Sequence, residues 1–136
     1  MSLDIIHGAP ETVVVYECKL QESPCALLVE GTTTAISAHL RSVHGITGRE
    51  NANTNCTWST CSRTLQRGSM PRHILTTHLG VKARCSACGV IMCRRDLIRA
   101  HIRSSEACHL AFADVVHGPE GSALTVAGFT AAAQQV

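Results

Sequence analysis

The chain has 136 residues and a formal net charge of +2, yet only four aromatic side chains: Tyr16, Trp58, Phe112 and Phe129. So few large apolar groups exclude a single large core, and units of about 30 residues need metal or disulfide staples to stay folded. No apolar run reaches the roughly 18 residues that span a membrane. The opening Met1-Ser2-Leu3-Asp4 carries neither the basic nor the apolar region of a signal peptide, so a reducing compartment is expected.

Six of the eight cysteines and five of the eight histidines, with Cys108 or His109 as a further member, fall into a repeated grammar of two cysteines, a histidine and one further ligand. The sets are Cys18/Cys25/His39/His44, Cys56/Cys61/His73/His78, and Cys85/Cys88/His101 with Cys108 or His109. Zinc takes thiolate sulfur and imidazole nitrogen tetrahedrally, and four such ligands close a structural site. A disulfide scaffold has no reason to place histidines at fixed offsets after its cysteines. Three zinc ions are therefore expected, each contributing about 10–16 kcal/mol that becomes folding free energy. Four protein ligands leave no open coordination position, so neither hydrolysis nor a small-molecule substrate is expected.

Residues 1–12 read as a flexible N-terminus and 13–45 as the first unit. Val13-Val14-Val15-Tyr16 predicts a strand into Cys18, because β-branched and aromatic side chains favour extended backbone. The gap from Cys18 to Cys25 is wide and needs an enlarged loop turned at Pro24. Thr32-Thr33-Thr34 offers N-cap hydroxyls to a helix running through Leu40, with Ile36 facing inward. In a zinc finger the positions that meet bases are here Thr32, Ala35 and Ala38, none of them a strong reader. This unit is expected to be structural or to face a protein partner. The polar linker 46–54 is long enough to give it some independence.

The second unit covers 55–79. Its knuckle, Cys56-Thr57-Trp58-Ser59-Thr60-Cys61, is too small to bury an indole, so Trp58 should pack across onto a neighbour. Proline is tolerated only in the first turn of a helix, so Pro71 predicts a start near Met70 with Ser69 as cap. Gln66 and Arg67 then stay in a loop, and Arg67 and Arg72 are candidates for nucleic-acid contact. His73 and His78 are five residues apart, which turns an ideal helix by about 500°, roughly 140° off face. The last turn must tighten or unwind for both to meet one ion.

The third unit covers 80–109 and follows a short linker, which would let units two and three follow one groove. Cys85 and Cys88 make a tight knuckle, with Gly89 at a turn needing positive φ. Met92 and Ile98 take the two buried apolar places. Arg94 then falls at the base-reading position before the helix, where arginine can bond O6 and N7 of a guanine. Asp96 can brace it, and Arg95, Arg99 and Arg103 are free for phosphates; the plainer alternative is a surface ion pair. Cys108 lies seven residues past His101, about 10.5 Å along an ideal helix, so the chain must fold back near Ser104-Ser105. Cys108 is preferred to His109 as last ligand because a loop-borne thiolate suits a closing position. Cys93 is left over and reads as a small buried apolar residue. Residues 110–136 show no helical periodicity and read as a flexible apolar tail.

Charge is unevenly placed. Residues 1–31 hold Lys19 against Asp4, Glu11, Glu17, Glu22 and Glu30, while all the arginines lie between 41 and 103. Positive potential gathered on units two and three suits a polyanion partner.

The Cys-x-Trp-x-x-Cys knuckle at Cys56–Cys61 resembles the first of the tandemly packed fingers of the Gli and Zic families, where that finger packs on the second and reads few bases. The pattern over residues 13–109 resembles the short three-finger C2H2-like proteins of mushroom-forming fungi. The resemblance implies a nuclear, zinc-dependent DNA-binding protein and transcription regulator. The expected fold is a small metal-stabilised α+β chain of three tandem ββα zinc fingers with flexible termini. Double-stranded DNA is the expected partner, bound mainly through fingers two and three. The alternatives are a protein-interaction adaptor using finger one or the tail, and an RNA-binding finger protein, which would need exposed aromatics.

Overall fold

The computed structural model describes residues 12–21 and 24–125. Residues 1–11, part of the first knuckle loop (Glu22, Ser23) and 126–136 lie outside the described residues. The chain is a small α+β fold of short antiparallel strands and helices.

Strand β1 (Thr12–Glu17) contains the β-branched run and pairs antiparallel with β2 (Leu28–Glu30), Tyr16 opposite Val29. Helix α1 (Thr33–Ser42) follows, buries Ile36 and Leu40, and is capped by Thr32, whose Oγ1 accepts the Ala35 N–H at 3.1 Å. That bond satisfies a donor the helix start would otherwise leave unpaired. Strands β3 (Asn53–Asn55) and β4 (Thr64–Gln66) make a separate pair, Thr54 opposite Leu65. After it come a 3-10 turn (Arg67–Ser69), a short helix α2 (Met70–His73) and a π-helical turn (Ile74–His78). Strands β5 (Lys82–Cys85) and β6 (Ile91–Met92) precede helix α3 (Arg95–Ser104) and a 3-10 turn (Glu106–Cys108).

Two strands then occupy the segment expected to be a flexible tail: β7 (Ala113–Val116) and β8 (Ser122–Thr125). β7 pairs with β5, Ala83 opposite Val115, completing the sheet β6-β5-β7. β8 pairs with β1, Val14 opposite Ala123, completing the sheet β2-β1-β8. The expectation fails for 110–125 because each strand is short and is stabilised by a distant edge, leaving no local periodicity to read. The segment is a strap joining the first unit to the third. Its crossing is fastened at Gly118, whose N–H donates to the buried Tyr16 hydroxyl at 2.8 Å. A Cβ on Gly118 would run into the Leu79 carbonyl, so only glycine passes there. Ion pairs Lys19–Glu120 (2.9 Å) and Arg84–Asp114 (2.7 Å) sit at the two ends.

The linker 46–54 does not make unit one independent. Tyr16, Leu20, Val29, Ile36 and Leu40 share one core with Trp58, Met70, Ile74, Leu79 and Val81, and Ile46 packs against it. The two knuckles also meet directly: Leu20 bridges Trp58, the Gln21 N–H donates to Thr57 O at 2.9 Å, and the Ser59 N–H to Lys19 O at 2.8 Å. Trp58 is 5 % exposed at this junction, where a knuckle too small for an indole finds cover. The third unit keeps its own small core of Ala83, Cys85, Ile98, Ile102 and Cys108, with Met92 half-buried beside it.

Candidate metal centres and basic surface

Each of the three clusters draws two cysteines from a strand-flanked knuckle and its first histidine from a helical segment, so ligands far apart in sequence converge. The groups are Cys18/Cys25/His39/His44, Cys56/Cys61/His73/His78 and Cys85/Cys88/His101/Cys108, and within each all four donor atoms lie within 4.8 Å of one another.

The spacing of these atoms is a chemical test. For a tetrahedral zinc with bonds of about 2.3 Å to sulfur and 2.0–2.1 Å to nitrogen, S···N edges are about 3.6 Å and N···N edges about 3.3 Å. In the first cluster Sγ of Cys18 is 3.5 Å from Nε2 of His44, Cys25 is 3.6 Å from His39, and the two Nε2 atoms are 3.1 Å apart. In the second the corresponding distances are 3.5, 3.7 and 3.1 Å. In the third, Cys88 Sγ lies 3.4 Å from His101 Nε2. Three sites of this size, each with soft sulfur and imidazole donors, are compatible with zinc.

The backbone explains how histidines five apart share a site. At His39/His44, helix α1 ends first: the Val43 N–H bonds His39 O, Gly45 turns left-handed (φ 67), and the Ile46 N–H returns to Leu40 O at 3.0 Å. At His73/His78 the helix instead widens, the Leu79 N–H reaching Ile74 O at 2.9 Å across a π turn. Widening lowers the rotation per residue and brings both imidazoles to one side. Trp58 stacks on His78 at 5.9 Å and 20°, steadying that ring. Ser69, expected as a cap, makes no capping bond and is itself helical (φ −91°, ψ −8°), because the 3-10 turn begins two residues earlier.

At the third centre α3 stops at Ser104, Ser105 is extended, and the 3-10 turn folds Cys108 back into the cluster. His109 is turned away, its Nδ1 2.7 Å from the Glu106 carbonyl. Cys93 belongs to no cluster, and it is exposed rather than buried, because it lies ahead of the helix where the chain lines an open cleft.

Burial pushes the Cys18 and Cys56 thiols up to about 11 and lowers the His39, His73 and His78 imidazoles. Without an ion these groups are neutral near pH 7. Cys85 goes the other way, to about 6, because the Cys88 N–H faces its sulfur.

The sequence-selected basic residues do not all gather. Arg72 from unit two meets Arg94, Arg95 and Asp96 from unit three around one cleft, which Lys82 and, from unit one, Thr32 and Thr33 also line. Arg94 holds Asp96 through two bonds, Nε to Oδ1 at 3.0 Å and a terminal nitrogen to Oδ2 at 3.1 Å. This hydrogen-bonded pairing keeps the Asp96 carboxyl below its ordinary range, and the Arg72 charge adds to it. Arg99 lies outside the cleft, along a second groove with Arg95 and Arg103. Arg67 is apart from both, its Nε donating to Arg49 O at 3.1 Å, so it ties down the linker. Sequence reasoning missed Lys82 and Phe112. Phe112 could have been found as the one aromatic close behind the arginine-rich helix. No helix among the described residues is long and apolar enough to cross a membrane. Comparison with protein families, curated proteins and solved structures finds no match to this chain.

Proposed function

We propose that the three clusters are zinc sites of three ββα-type fingers, and that the protein is a nuclear, zinc-dependent regulator that binds double-stranded DNA through units two and three. The observation that carries this reading is the cleft at which Arg72, Arg94 and Arg95 converge from two units. Arg94, braced in plane by Asp96, has its fork set for the two acceptors of a guanine. Arg72, Arg95 and Lys82 supply charge for the flanking phosphates. In this arrangement unit one acts as a buttress: its core is continuous with that of unit two, and its helix offers no base reader. The strap pairs with strands of both the first and the third unit, so the footprint should be a single short site instead of a run of successive triplets. The zinc-loaded protein, put through a randomised duplex selection, should recover a short motif containing an indispensable guanine. Arg94→Ala should relax that position at a cost of about 1–3 kcal/mol. Recovery of no duplex, or a motif indifferent to Arg94→Ala, would sink the reading.

A further inference from the structure

We propose that the groove between α3 and the start of the strap binds a single-stranded nucleic-acid segment, its phosphates along α3 and one base stacked on Phe112. The proposal rests on the reading of unit three as nucleic-acid-facing and adds a second form of substrate to it.

Arg95, Arg99 and Arg103 recur every fourth residue and so follow one side of α3, about 6 Å apart along the axis. None of the three forms an ion pair among the described residues. They line an open groove of about 430 Å³ whose other wall is Phe112 and its alanine neighbours. Phe112 is 65 % exposed, whereas Tyr16 and Trp58 are buried at 1 % and 5 %. Its exposure is not looseness. The Phe112 N–H donates to Ser86 Oγ at 2.9 Å, and its carbonyl accepts the Ser86 N–H at 3.1 Å. The backbone is held on both sides while the ring stands open, so a partner finds it preorganised.

The chemistry selects the occupant. Three unpaired guanidiniums in a row ask for a regularly charged anion, and arginine also stacks on flat rings. A free aromatic face asks for a base that is not already stacked between neighbours, which a duplex interior does not offer. A positively charged groove with an aromatic platform is the arrangement that holds single strands without reading their sequence.

The test uses the zinc-loaded full chain, with labelled oligothymidine, oligouridine and a duplex as probes in fluorescence anisotropy. Phe112→Leu should weaken the single strand about tenfold and leave the duplex unchanged, while Phe112→Tyr retains affinity. Arg99→Gln should reduce the single-strand salt slope by about 0.7. In Phe112→Trp the added indole emission should be quenched by the oligonucleotide, since Trp58 is buried. A preference between the two sugars identifies which nucleic acid the groove takes. Retention of three metal ions in each variant, by native mass spectrometry, shows that folding is intact. An unchanged single-strand affinity in Phe112→Leu, or equal competition by polyglutamate, overturns the proposal. Loss of duplex binding alone would overturn the double-stranded reading and leave the groove standing.

Discussion

Replacing Tyr16 by phenylalanine removes one oxygen, and that oxygen is the point to which the strap is fastened. Tyr16 is 1 % exposed, and its hydroxyl accepts the Gly118 N–H at 2.8 Å. The ring that remains fills the same space, so no cavity opens; what is lost is the partner of a buried donor. Stranding such a group costs about 1–3 kcal/mol, equivalent to a rise of about 5- to 150-fold in the equilibrium for opening the strap. Native-state amide exchange on the metal-loaded chain, at fixed free zinc, reads this directly. Amides of β8 and of the β1 edge it covers should exchange faster by that factor, while Ile98 in the third unit's core stays protected. Metal content should not change, because no ligand is touched. If Ser122–Thr125 remain as protected as in the parent protein, the strap is held by something other than this bond and the reasoning fails.

Two further outcomes follow from the metal centres. Zinc binding should release protons from Cys18 and Cys56, whose thiols stand at about 11, but not from Cys85, which at about 6 is already thiolate at neutral pH. The third centre has three thiols against two at each of the others, so calorimetry in buffers of different ionisation enthalpy should show it releasing no more protons than they do; one further proton released there would refute the assignment. The lowered imidazoles of His39, His73 and His78 make the metal-free fold less stable as the pH falls. A histidine whose folded value lies below its ordinary one, about 6.5, contributes in full above that pH and loses its contribution as the pH falls below it. Finally, Cys56→Ala should lower the bound metal count by one in native mass spectrometry, whereas Cys93→Ala should leave it unchanged; loss of an ion from Cys93→Ala would mean the clusters are drawn wrongly.

The ligand sets were legible in the sequence because a metal site writes itself as spacing. Two cysteines in a knuckle and histidines on the following helix sit at separations that local geometry dictates. The need to distort the helix between His73 and His78 came from the same arithmetic, and the π turn supplies that distortion. The pairing of Arg94 with Asp96 was legible too, since both lie at the start of one helix. Ser69 misled because a cap and the last residue of a 3-10 turn look alike in letters.

By itself, then, the sequence determined the local chemistry: which side chains can serve one ion, where the helices stand, and where positive charge accumulates. Only the tertiary structure decided how the units are joined. Whether Trp58 covers Leu20, whether Phe112 is buried or bare, and whether the last described strand closes on the first depend on which distant edges and surfaces meet. Such contacts are stabilised by partners about 100 residues away, such as Gly118 for Tyr16. A short strand of small and β-branched residues carries no mark of its partner, because backbone pairing is the same for every side chain.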